Sequence, residues 1–165
     1  MTPLECAQGI AEFLRGKIVD YEELVESTDG EEKENYNVYA GFLPYAANRQ
    51  EQKKLCPAIV VRPLEVNDKK DDSTVLLGIY VTTYDEHKEI GCYGLYHLLE
   101  FVRFHLLACN PAAGKYFIEP GSMTTSVPDE QPFPQWWGRI DFSVYLEQPE
   151  NSYIKPMNKW KEWKK

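Results

Sequence analysis

Gly91–Cys109, GCYGLYHLLEFVRFHLLAC, is the long stretch of this chain that combines helical periodicity with almost no charge. Leu95, Leu98, Leu99, Val102, Leu106 and Cys109 recur at three- and four-residue steps, which sets them in one stripe along a helix. Phe101 and Phe104 are expected to widen that stripe, with Glu100 and Arg103 nearer the opposite side. A stripe so wide needs a partner broader than another short helix, and a β-sheet is the natural one. Side chains of this kind bury at about 1.5–3 kcal/mol each, so the contact is worth on the order of 10 kcal/mol.

The flanking sequence supplies that sheet. Upstream, Pro57-Ala58-Ile59-Val60-Val61-Arg62-Pro63 reads as a short β-branched strand, and Asn67 to Ser73 as a charged turn. Thr74 to Asp85 then reads as a longer strand. Val75, Leu77, Ile79, Val81 and Thr83 fall on one face of it, and Leu76, Gly78, Tyr80, Thr82 and Tyr84 on the other. Downstream, Asn110-Pro111 with Gly114 stops the helix. Tyr116-Phe117-Ile118 reads as a third strand, followed by a proline-rich loop, Val127 to Gln135. Trp136 to Gln148 is the fourth: Trp136, Gly138, Ile140, Phe142, Val144 and Leu146 alternate with Trp137, Arg139, Asp141, Ser143, Tyr145 and Glu147.

At the N-terminus, residues 2–15 read as a first helix, capped by Thr2 with Glu5 three residues on, and stopped by Gly16. Asp20 to Glu34 holds eight acidic residues and one lysine, and is expected as a solvated connection or an exposed hairpin. Tyr36, Val38 and Tyr39 allow a short strand, and Asn48 to Lys54 is polar. The expected architecture is therefore α+β: a four-stranded antiparallel sheet with helices packed on one face, in the order α-β-β-α-β-β. Residues 1–149 form one domain in this reading, with an acidic insertion at about 20–54 at its edge. Residues 150–165 form a basic tail, in which IKPMNKWKEWKK carries five lysines and two tryptophans.

A chain of 165 residues suffices for one core, and 43% apolar residues is ordinary for a globular domain. A net charge of −8 argues against a surface built for nucleic acid. No apolar run is long enough for a membrane span, and the N-terminal sequence lacks the pattern of a signal peptide. The four cysteines, Cys6, Cys56, Cys92 and Cys109, stand singly and far apart, which suits small buried hydrophobes better than disulfides.

Spacing weighs against catalytic and metal sites. His97 and His105 are separated by about 12 Å of helical rise, too far to share an ion. His105 and Cys109 form an i, i+4 pair with no second pair at ligand spacing, and Cys92 and His97 face apart. The acidic pairs Asp71-Asp72 and Asp85-Glu86 read as solvated charge in loops. No catalytic residue, metal ligand or cofactor is expected. The basic tail is expected to pair with the acidic 20–34 segment rather than with nucleic acid. Tryptophan, tyrosine and arginine are enriched at interface hot spots, so the aromatic face bearing Trp137, Arg139 and Tyr145 beside Tyr80 and Tyr84 is the candidate contact surface.

Taken in order, Pro57–Pro63, the strand Val75–Tyr84, the helix Gly91–Leu107 and Asp129-Glu130-Gln131-Pro132-Phe133-Pro134 leading to Trp136-Trp137-Gly138 resemble the tail terminator (tail completion, minor tail) proteins of long-tailed phages and prophages. The likeness covers residues 2–15 and 56–149; the insertion and the tail have no counterpart in it. It implies a small structural subunit without an active site that assembles with itself into a ring, typically a hexamer. The ring caps the tail tube and meets the head connector, with tail tube protein and head-connector protein as partners and no membrane. It also implies a life in the host cytoplasm during assembly and in the virion tail afterwards. A closed ring needs a patch that meets a different patch on the next copy. Tyr84, Phe133, Trp137, Arg139 and Tyr145 are the expected anchors. A soluble binding module using the same face is the alternative, and a Cys/His or metal enzyme stands behind both.

Overall fold

The structure, a computed structural model, describes residues 1–29 and 35–148. It is α+β. Among these residues the elements run α1 (Pro3–Asp29), β1 (Asn37–Ala40), α2 (Arg49–Leu55), β2 (Ala58–Asp68), β3 (Ser73–Tyr84), α3 (Cys92–Ala108), β4 (Thr124–Ser126) and β5 (Gln135–Leu146). The sheet has five strands in the order β1-β2-β3-β5-β4 and is mixed, because β1 runs parallel to β2 while the other pairs are antiparallel. The expected four-stranded antiparallel sheet in α-β-β-α-β-β order is thus corrected by a parallel edge strand and a third helix.

The quoted stretch does what its periodicity requires. Leu95, Leu98, Leu99, Val102 and Leu106 of α3 are buried, and α3 packs on β3 and β5. Gly138 allows the close approach, since a Cβ there would lie 2.7 Å from Leu99 Cδ1. Phe104 departs from the expectation: it is 61% exposed and points away from the sheet. Glu100 and Arg103 lie on the solvent side and pair at 2.7 Å.

α1 closes the other half of the same sheet face over β1 and β2. Thr2 and Glu5 bond reciprocally at its start, as a capping box should. The helix does not stop at Gly16. Cys6, Ala7, Ile10, Ala11, Leu14 and Ile18 continue one buried stripe through that point. An exposed helical glycine costs about 1 kcal/mol relative to alanine, less than the roughly 1.5–3 kcal/mol from burying Ile18. Asp20–Glu34 is accordingly helical as far as Asp29, where a connection or hairpin was expected, and residues 30–34 lie outside the described residues.

Residues 37–68 form a β-α-β unit. Asn48 caps α2 by accepting from the Glu51 amide at 3.0 Å, but α2 buries none of its residues. On the far side of α3, Tyr116–Ile118 forms single bridges rather than the expected strand. The Asn110 side chain bonds both the amide and the carbonyl of Ile118 at 3.0 Å, taking the groups that a neighbouring strand would use. Gly121, at φ +78, turns the chain before β4 takes the sheet edge. The basic tail lies outside the described residues.

Candidate oligomer interface

The two sheet faces differ in kind. Ile59, Val61, Val75, Leu77, Ile79, Val81, Ile140, Phe142 and Val144 point into the helix-covered core. On the outer face the register places Trp137 opposite Thr82, Arg139 opposite Tyr80, and Arg62 opposite Gly78. These side chains stack across the strands. Phe42 lies 3.8 Å from the Arg62 guanidinium, which sits 4.6 Å from the Tyr80 ring. Tyr80 stacks on Trp137 at 6.2 Å and 26°. The Arg62 Nε donates to the Gly41 carbonyl at 2.8 Å, which holds the row's free end, where Phe42 is 73% exposed.

Arg139 lies 5.8 Å from the Tyr80 ring and pairs with Asp141 at 2.8 Å. Its Nε and the Asp141 Oδ1 are buried without a hydrogen-bond partner among the described residues. Buried polar atoms are usually satisfied, so these two atoms sit at a cost. The proline-rich loop is latched to β5 by Gln131: the Trp137 amide donates to Gln131 Oε1 at 2.7 Å, and Gln131 Nε2 donates to the Trp137 carbonyl at 3.1 Å.

Tyr84 and Phe133 line a groove of about 550 Å³ with Arg49 and Gln52, at the α2 end of this face. The Tyr84 hydroxyl donates to Glu86 at 2.9 Å, and that carboxylate raises the phenol's pKa above its ordinary value. Lys53 Nζ stands 5.2 Å over the same ring. Phe133 meets Trp136 edge-to-face at 6.1 Å. The structure sets Trp137 and Arg139 side by side on the outer face, and Tyr84 with Phe133 in the groove at its α2 end.

Tyr145 is not with them. It sits beside Phe117 at the opposite end of β5. Alternation assigns a face and says nothing of position along a strand, and eight residues at about 3.3 Å each put Tyr145 about 26 Å from Trp137. Sequence reasoning also missed Phe42 and Arg62. The signal for Arg62 was available, because alternation through Ala58, Val60 and Arg62 puts it on the face shared with Tyr80. That for Phe42 was not, because its position depends on a parallel pairing of distant segments.

His87 pairs with Asp85 at 2.8 Å on the surface, and His105 lies between Phe101 and Phe104, with ring centroids at 4.4 and 5.6 Å. Burial pushes the Cys6 thiol up to about 11. Among the described residues no three His, Cys, Asp or Glu side chains converge as a metal site, and no helix is long and apolar enough to cross a membrane. Compared with known proteins, the chain matches no family model and no curated sequence.

Proposed function

We propose that this chain is the tail terminator of a phage or prophage, a structural subunit whose copies form a ring. The ring caps the tail tube, meets the head connector and acts by geometry. In this reading the protein works in the host cytoplasm during assembly and in the virion tail afterwards. The observation that carries it is the row Phe42–Arg62–Tyr80–Trp137, with Arg139 and Asp141 beside it, on a sheet whose other face is already closed by two helices. A flat aromatic and guanidinium surface of this kind suits protein contact, since such anchors dominate interface energetics. It supplies one of the two different patches that a heterologous ring contact joins.

The test is assembly. Purified chain is followed by size-exclusion chromatography with light scattering over a range of concentrations, and by electron microscopy with tail tubes. Trp137→Ala and Arg139→Glu are expected to keep the native circular dichroism spectrum and to lose ring formation on the tube. Normal rings from either variant count against the assignment.

A further inference from the structure

A second groove, independent of the proposed interface, lies between the first turns of α1 and the residues that follow α3. It measures about 910 Å³ and is lined by Glu5, Glu12, Lys115, Phe117, Tyr145 and Glu147, among others. Three of these are carboxylates, against Lys115 and the α-amino group of Met1, which also lines the groove. Phe117 and Tyr145 are 57% and 38% exposed, so the lining offers apolar rings to an occupant.

We propose that the chain's own C-terminal segment, residues 149–165, occupies this groove. Its starting point lies beside the groove: Glu147 lines it, and Gln148 is held on the β2–β3 turn by donating to the carbonyls of Lys69 and Asp72 at 2.6 and 2.8 Å. Reach is ample, since 17 residues at about 3.3 Å each extend well past the groove. Charge is complementary, because the segment has five lysines and two glutamates. Glu5 also closes the Thr2 cap and Glu12 pairs with Arg15, so the attraction is shared with helix-local partners. The apolar residues complete the match. Ile154, Met157, Trp160 and Trp163 recur at three-residue steps between the lysines, which pairs an apolar side with the aromatic lining and a basic one with the carboxylate rim.

Zero-length carbodiimide cross-linking tests this on the full chain, as an equal mixture of unlabelled and ¹⁵N-labelled protein at low salt. The expected products join Lys155, Lys159 or Lys161 to Glu5, Glu12 or Glu147 within one isotopic form. Links that go instead to residues 20–34, links that mix the isotopic forms, or tail lysines without links each overturn the proposal. Tryptic cleavage of the tail is the second measurement. At low salt the intact protein should lose its tail about tenfold more slowly than the free 149–165 peptide is cut. The difference should shrink in about 1 M NaCl and in an E12K/E147K variant. Equal rates at low salt also overturn it.

Discussion

The two faces of one sheet carry different kinds of information. β2, β3 and β5 contribute to both, yet the inner face is a closed aliphatic surface, whereas the outer face carries a row of rings and guanidinium groups. The inner residues are fully buried by the protein's own helices, so their energy is collected on folding. Phe42, Trp137 and Arg139 keep part of their surface in water, so the energy of covering them is still to be gained. A chain organised this way separates the residues that make the subunit from those that join it to something else.

The separation is tested first where it should be most severe. Phe142→Ala, at a side chain with no exposure beneath α3, should cost about 3–5 kcal/mol and lower the urea midpoint accordingly. Trp137→Ala, five residues away on the other face, should leave that midpoint close to the native one. Equal losses from the two would mean that the outer face is also core. Gly138→Ala should fall between them, because the new methyl would meet Leu99 Cδ1 at 2.7 Å and push α3 outward, at about 1–3 kcal/mol.

Arg62→Ala sharpens the contrast from the outer side. It removes the stack between Phe42 and Tyr80 and the bond to the Gly41 carbonyl, for about 1–2 kcal/mol. Its specific mark is local. Residues 41–57 lose their hold on the sheet, so trypsin should cut at Arg49, Lys53 and Lys54 faster than in the native chain. A large stability loss with no change in those cuts would place Arg62 in the general core instead.

What the sequence makes legible follows the same division. α3, β3 and β5 are long and regular, and Leu95 to Leu106 or Trp136 to Leu146 repeat a period often enough to specify both element and face. β1 and α2 are short. Four residues, Asn37–Ala40, hold no resolvable alternation, and their parallel pairing with Ala58–Val61 spans a connection that no local pattern encodes. α2 buries nothing, so it has no apolar stripe; Asn48 with Glu51 three residues on was its one signal. The candidate site was legible as a face and not as a patch. Trp137, Arg139 and Tyr145 could be assigned to it but not their places along β5, and the Arg62 sandwich needed the register of three strands.

The smallest effect concerns His105, on the edge of the inner face. Its ring is half-buried against Phe101 and Phe104, and burial lowers its pKa below the ordinary 6.5, with Lys17 adding to the shift and Asp20 opposing it. The unfolded chain therefore binds a proton here more readily than the folded one, and stability must fall as pH drops below the unfolded value. The same linkage applies to Glu5, held below its ordinary value chiefly by the Thr2 amide and hydroxyl, and to Glu100, held down chiefly by Arg103, but around 4.5 and lower. The interval from pH 7 to 5 is therefore where the contribution of the His105 imidazole falls. Urea midpoints measured across it should decline gently for the native chain and stay level for His105→Gln. A native midpoint that is flat over this interval, or an equal slope in the variant, would show that the ring is solvated in both states and that the core ends inside Phe101 rather than at His105.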